Sequence, residues 1–119
     1  MPYIDAFVIP VPKNKIDAYK KLASKAGKIW MEYGALQYVE CVGEDLKIPF
    51  GLPFTKLANT KKNETVIFSW IFFKSRKHRD AVNEKVMQDE RLAKMCGPEN
   101  MPFDIQRMSF GGFETLVKY

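Results

Sequence analysis

Six side chains are the main candidates for chemistry in this chain of 119 residues. Alternate residues of a strand point to the same side of a sheet. We expect one side to collect large aromatic side chains together with the charges of Asp5, Glu40 and Arg107. Isolated charges in such a cavity are costly, so they must pair or be hydrogen-bonded. This pattern predicts a ligand pocket, for which the candidate residues are Asp5, Tyr38, Glu40, Trp70, His78 and Arg107.

A cluster of charges in an aromatic cavity has two interpretations. It is either a structural ion pair that fixes how two protomers align, or a polar anchor for a small ligand. In the second case a carboxylate with a raised pKa could act as a base. Under either interpretation we predict that Arg107 pairs with Asp5 or Glu40.

No pattern of metal ligands accompanies these residues. His78 is the only histidine, and neither cysteine belongs to a His/Cys cluster typical of zinc sites. We therefore predict no metal and no other cofactor. His78 is expected to be exposed at the start of a helix, and the alternative is a base or haem ligand at the mouth of the pocket. Cys41 and Cys96 are expected to be small buried side chains.

The elements that position these residues follow from the periodicity of apolar residues. The pattern predicts strands at 3–11, 35–42, 64–74 and 107–117, a short strand at 54–57, a helix from Asn14 to Gly34, a helix after Ser75 and a short turn after Asp89. The main elements have the order β-α-β-β-α-β. This order predicts an α+β ferredoxin-like fold, a four-stranded antiparallel sheet with both helices on one face. We expect residues 1–119 to form a single domain.

Two of the predicted strands are apolar on both faces. These are residues 7–9 and 66–73. An antiparallel sheet with one wet face would alternate apolar and polar residues. Both faces must therefore be covered, and a chain this short needs a second copy of itself to do so. We expect a homodimer with its sheets packed face to face, a dimeric α/β barrel.

The net charge and the cysteines of the chain indicate which binding partners and which cellular compartment to expect. The formal charge is +5, and the basic residues are spread along the chain, for example from Lys13 to Lys28 and from Lys74 to Arg79. Solvated helix faces and loop tips explain this spread better than nucleic acid does. The longest apolar stretch is too short to span a membrane, and no signal peptide is evident. We expect a cytoplasmic protein with reduced thiols and no membrane partner.

Three blocks of residues resemble a known family. They are Pro2–Phe7 with Val11–Lys13, Glu64–Ile71 continuing to Asp80, and Met101–Asp104 with Arg107–Phe113. Together they are similar, nearly end to end, to the YbaA-like family of uncharacterised bacterial proteins. The resemblance implies the dimeric α/β-barrel superfamily and brings no established activity. Relatives with that barrel include cofactor-free monooxygenases, haem-degrading enzymes and small-molecule binders, and the fold does not choose among them.

Three functions are open from the sequence. The first is binding or transforming a small apolar or aromatic molecule in a pocket of each protomer, and a pocket lined by Asp5, Trp70 and Arg107 favours it. The second is an RNA-associated basic protein, favoured by a continuous lysine surface without a cavity. The third is a stress-related interaction protein without a small-molecule site, favoured by a filled barrel. The residues do not distinguish a binding protein from an enzyme.

Overall fold

The computed structural model describes the whole chain except the side chain of Pro98. The strands are β1 (Tyr3–Pro12), β2 (Gln37–Val42), β3 (Glu64–Phe73) and β4 (Ser109–Glu114), and the helices are α1 (Ile16–Glu32), α2 (Phe54–Leu57), α3 (Arg76–Met87) and α4 (Glu90–Met95). The predicted order of the main elements is confirmed. The bounds of the last strand differ, because Arg107 belongs to a short 3-10 turn before β4.

The four strands form one antiparallel sheet in the order β2-β3-β1-β4. This is the strand order of the ferredoxin-like arrangement, so the α+β prediction is confirmed. β1 continues through Pro10 to Pro12 instead of ending at Val11. β4 pairs with β1 only as far as Val8. The second half of β1 therefore has one neighbouring strand, and proline is tolerated where no partner needs its N–H.

Helices α1, α3 and α4 cover one face of the sheet and form the core with it. Buried sheet residues Ile9, Val11 and Ile67 pack with Tyr19 and Ala23, and Ile71 and Phe73 pack with Ala26, Ile29, Ala35, Val82, Val86 and Leu92. The α1 residues in these sets recur at three- and four-residue spacing, which puts them on one stripe of the helix. The predicted amphipathic helix is thus confirmed, and its stripe faces the sheet.

Helix ends match the predicted signals in some places only. Ser75 Oγ accepts the N–H of His78 at 3.1 Å, and Asp89 Oδ1 accepts the N–H of Arg91 at 2.8 Å, so both are N-caps. Gly34 follows α1 with φ of 111°. The capping role predicted for Asn14 is wrong, because Asn14 lies inside a 3-10 turn that runs into α1.

The short strand predicted at 54–57 is a helical turn. The carbonyl of Pro53 accepts the N–H groups of Lys56 and Leu57, at 3.0 and 3.1 Å. A strand here would need a partner edge, whereas this turn satisfies its own backbone groups. It places Phe54 against Phe68 of β3, with ring centroids 6.2 Å apart.

The predicted face that would collect Asp5, Tyr38, Glu40 and Trp70 does not form. Directly opposed residues of an antiparallel pair lie on the same face. Asp5 and Tyr38 both oppose Ile71, whereas Trp70 opposes Ala6 and Val39. Asp5, Tyr38 and Glu40 therefore lie under the helices, and Trp70 lies on the other face. A one-residue change of register exchanges the faces, so single-strand patterns leave this choice open.

The face opposite α1, α3 and α4 is apolar and partly exposed, and the short α2 contacts it through Phe54 and Phe68. Its side chains include Ile4, Ala6, Val8, Val39, Phe68, Trp70, Phe72 and Phe113. Phe68 is 38% exposed and Phe113 is 59% exposed. Along β3, the described side chains of this face carry no acid or base from Val66 to Phe72. We call this surface the open sheet face.

Candidate functional site

An open groove of about 1180 Å³ runs between α1 and β2. We call it the α1–β2 groove. Since β2 is an edge strand, one side of the groove is open to solvent. Its apolar lining comes from Ile16, Ala23, Gly27, Met31, Val42 and Ile67, and its exposed charged residues are Asp17, Lys20, Lys28 and Glu32. A pocket of this composition, apolar with few polar groups, is typical of small-molecule sites.

Glu40 is the polar centre of the groove. Tyr19 Oη donates to Glu40 Oε1 and Tyr38 Oη donates to Glu40 Oε2, both at 2.7 Å. Tyr38 and Glu40 are two residues apart in β2 and so point to the same face. Each carboxylate oxygen accepts one phenol and keeps a further acceptor site. The arrangement holds a half-buried carboxylate that can still receive a donor from the groove.

The two tyrosines are fixed as hydrogen-bond donors. Burial, followed by the charge of Glu40 and by the hydrogen bond to it, raises the pKa of Tyr19 and of Tyr38 far above the ordinary 10.0. Neither phenol ionises near neutral pH, so neither can act as a base there. The acceptor capacity of this cluster therefore belongs to Glu40.

Asp5 lies outside the groove in a separate buried network. It is 5% exposed. Arg79 Nη1 donates to its Oδ1 at 2.7 Å and Asn83 Nδ2 donates to its Oδ2 at 3.0 Å. Trp30 Nε1 donates to Asn83 Oδ1 at 2.9 Å. This network joins β1, α1 and α3, and its partners satisfy both Asp5 oxygens, so we assign it a structural role.

Arg107 does not pair with Asp5 or Glu40, so that prediction is wrong. Its Nη1 and Nη2 donate to Glu64 Oε2 and Oε1 at 2.7 and 2.9 Å, and Nη2 also donates to the carbonyl of Asn59 at 2.8 Å. This is a two-pronged arginine–carboxylate pair. The pair lies at the start of β3, whose first residue is Glu64. Arg107 reaches it from the 3-10 turn that precedes β4. The pair ties the 3-10 turn to β3 and the 43–63 connection.

His78 and Trp70 also lie away from the groove. His78 Nδ1 accepts the N–H of Lys74 at 3.0 Å, and its ring meets Phe73 edge-on. His78 is half-buried and helps to close the β3–α3 turn, so its predicted exposure is wrong. Trp70 lies on the open sheet face, where its Nε1 donates to Gln37 Oε1 at 3.1 Å. Of the six predicted residues, only Tyr38 and Glu40 share a site.

Sequence reasoning missed Tyr19 and Arg79. Tyr19 falls within the helix predicted from Asn14 to Gly34, where helical spacing accounts for its ring but not for its hydroxyl. The sequence feature that points to Tyr19 is the pair of small residues Ala23 and Gly27, which follow it at four-residue steps on the same side of the helix. Small residues there allow a strand to approach the helix closely. Arg79 was counted among the solvated basic residues, yet its side chain is 19% exposed and pairs with Asp5. No local signal distinguishes it from its exposed neighbours.

Other predictions concern metals, thiols and membranes. Among the side chains that the structure describes, no group of three or more His, Cys, Asp or Glu residues could hold a metal ion. Cys41 and Cys96 are unpaired and exposed, so their predicted burial is wrong. None of the described helices combines the length and the apolar character needed to cross a membrane.

Comparison with known proteins gives a family and a fold. Residues 2–105 match the family model described as "Protein of unknown function (DUF1428)". "Uncharacterized protein YbaA" of Escherichia coli K12 is 43% identical over 117 residues, which cover 98% of each chain, and YbaA of Shigella flexneri gives the same values. The crystal structure of an uncharacterized NIPSNAP domain protein from Burkholderia xenovorans superimposes with a TM-score of 0.55. That match covers 97% of this chain and 95% of the other at 14% identity, a likeness of fold alone.

Proposed function

We propose that this chain, which belongs to the DUF1428 family and is YbaA-like over nearly its whole length, binds a small, largely apolar molecule in the α1–β2 groove. The geometry of the groove supports this proposal. Glu40 is the polar anchor of that ligand. The observation that carries the proposal is the Glu40 carboxylate, held by two phenols in an otherwise mainly apolar groove and keeping acceptor capacity. Few convergent polar groups in an apolar pocket are what a specific ligand site requires.

We also propose that the protein is a homodimer joined through the open sheet face. Exposed apolar side chains on this face include Phe68 and Phe113. The described strands place no acid or base at its centre, which suits contact with an identical surface. Lys118 Nζ, from the chain after β4, lies 5.5 Å from the Phe72 ring centroid on the same face. The two proposals are compatible, because the groove lies on the helix side of the sheet. Each protomer would then keep its own ligand site.

A cytoplasmic location is part of the same proposal. Two exposed cysteines remain unpaired in the fold. Unpaired exposed thiols are typical of reducing compartments.

The experiment uses the tryptophans as separate reporters. Trp30 lies beside Tyr38, with ring centroids 5.9 Å apart, whereas Trp70 lies on the open sheet face. In a Trp70→Phe variant, a panel of small apolar and aromatic compounds is screened for changes in Trp30 fluorescence. We expect at least one compound to change it saturably and almost independently of salt. Glu40→Ala should weaken that binding, while Glu84→Ala on exposed α3 should not.

RNA binding and pure protein–protein interaction are the outcomes that would reject the proposal. Electrostatic binding to RNA weakens steeply with salt. If structured RNA binds with that dependence and no compound affects Trp30, the basic surface becomes the site to study. If native mass spectrometry of protein from cells shows neither small molecule nor RNA and the panel is silent, an interaction protein without a ligand site is supported instead.

A further inference from the structure

Glu40 differs from two buried carboxylates of the same sheet, Asp5 of β1 and Glu64 of β3, because each of those pairs with an arginine. Asp5 pairs with Arg79 at 2.7 Å, and Glu64 pairs with Arg107 at 2.7 Å. In the part of the chain that the structure describes, the ion pairs do not include Glu40, whose two partners are neutral phenols. This half-buried carboxylate therefore has hydrogen-bond donors but no compensating positive charge from the described protein side chains.

The surroundings of Glu40 suit a cation from the groove. Tyr19 and Tyr38 both line the groove, and their hydroxyls hold the carboxylate in place. The phenol donors occupy one acceptor site on each oxygen and leave the others for a ligand donor. A carboxylate with free acceptor sites beside an apolar lining is the chemistry that recognises an ammonium group on an apolar body.

Other charges around the groove nearly cancel. Lys20 and Lys28 on α1 are opposed by Asp17 and Glu32 on the same helix, and all four are exposed. Glu32 is engaged by Arg91 at 2.6 Å. From β2 and β3 the groove receives one charged side chain, that of Glu40, among the described lining residues. In the described structure neither Lys20 nor Lys28 forms an ion pair with Glu40.

We infer that the ligand of the α1–β2 groove is a protonated amine carried on an apolar body. This rests on the proposed function and narrows it to a class of ligand. The ammonium group donates to the acceptor sites of Glu40 that the two phenols leave free. The body packs against the apolar lining, which includes Ala23, Met31 and Val42. A carboxylate on the same body is rejected, because it would place like charges together.

The test compares three probes with one skeleton: 3-phenylpropylamine, 3-phenylpropanol and 3-phenylpropionate, titrated by calorimetry near neutral pH. We expect the amine to bind about tenfold more tightly than the alcohol, which is the scale of a charge-assisted hydrogen bond, and the carboxylate to bind most weakly. Glu40→Gln should remove the preference for the amine and keep alcohol binding. Glu84→Gln, on α3 and outside the groove lining, is the matched control and should keep the preference.

The outcomes separate this inference from the proposed function. Equal binding of amine and alcohol, or tighter binding of the carboxylate, would overturn the amine assignment and leave the groove as a ligand site. Silence of all three probes and of the wider compound panel would overturn both. If Glu40→Gln is unfolded, Tyr38→Phe serves instead, because it keeps the charge of Glu40 and removes one competing donor. Loss of the amine preference in folded Tyr38→Phe would also overturn the assignment.

Discussion

Gly27 of α1 lies against the ring of Tyr38 of β2. A Cβ atom placed on Gly27 would be 2.8 Å from Tyr38 Cδ1 and 3.3 Å from Cγ. The ring has little room to retreat, because its hydroxyl donates to Glu40 and its other neighbours include Trp30. Glycine at position 27 therefore sets the distance between α1 and β2 at the α1–β2 groove.

Substitution of Gly27 by alanine should be destabilising. Helix propensity alone favours alanine by about 1 kcal/mol, but crowding of a packed side chain costs about 1–3 kcal/mol. We expect the crowding to dominate and the Tyr38–Glu40 hydrogen bond to be strained. Urea denaturation measures the first effect and Trp30 fluorescence the second. Gly97→Ala is the control, since its Cβ would meet its nearest neighbour at an ordinary 3.5 Å. A Gly27→Ala protein as stable as wild type would contradict this account.

The open sheet face should be the dimer contact. Light scattering at micromolar concentration should give about twice the 13.8 kDa chain mass. Phe68→Asp should yield monomers, because it would bury an unpaired charge between two apolar faces. The emission of Trp70 should shift to longer wavelength as that face becomes wet. Met87→Asp replaces an exposed apolar residue of α3, away from the open sheet face, and should remain dimeric. A monomeric wild-type protein would refute the proposed assembly.

Glu64 should make stability depend on acid pH. The hydrogen bonds from Arg107 outweigh burial and hold the pKa of Glu64 below its ordinary 4.5. The folded state therefore binds this proton more weakly than the unfolded chain does. The stabilisation is present above the unfolded pKa and is lost as pH falls through the folded pKa. Between about pH 5 and pH 3, wild type should lose stability faster than Glu64→Gln. Parallel pH profiles for the two proteins would show that the pair contributes nothing.

Tyr19 and Tyr38 should make stability depend on alkaline pH. Burial first, and then Glu40, raises both pKa values above 10.0. A raised folded pKa means that stability is complete below the unfolded value and is lost as pH rises above it. Wild type should therefore lose stability steeply above about pH 10. The double variant Tyr19→Phe/Tyr38→Phe should lose stability less steeply with pH in the same range. Phenolate absorbance measures ionisation directly. Ionisation of both phenols near pH 10 in folded protein would contradict the geometry.

Two of the three residues at the centre of the candidate site were predictable from sequence. Tyr38 and Glu40 are two residues apart in a strand, so their shared face follows from the geometry of any strand. The third member, Tyr19, lies far away in sequence on α1. Its place in the helical stripe was predicted, but the contact of its hydroxyl with Glu40 depends on how α1 crosses β2.

Local signals determined the architecture of this protein. Alternation and helical spacing of apolar residues specify the order of strands and helices, and that order restricts the sheet to very few topologies. The caps at Ser75 and Asp89 were visible for the same reason, since each acts within three residues of itself. Such features depend on neighbours in the chain and can be read without the fold.

Only the tertiary structure decided which charges meet and which face each strand residue occupies. Asp5 pairs with Arg79 and Glu64 with Arg107, across 74 and 43 positions of sequence. Several arginines were available to each carboxylate, and charge attraction does not depend on sequence order. Register decided the rest, because a shift by one residue moves a whole strand to the opposite face. That is why Trp70 lies on the open sheet face while Glu40 lies in the groove.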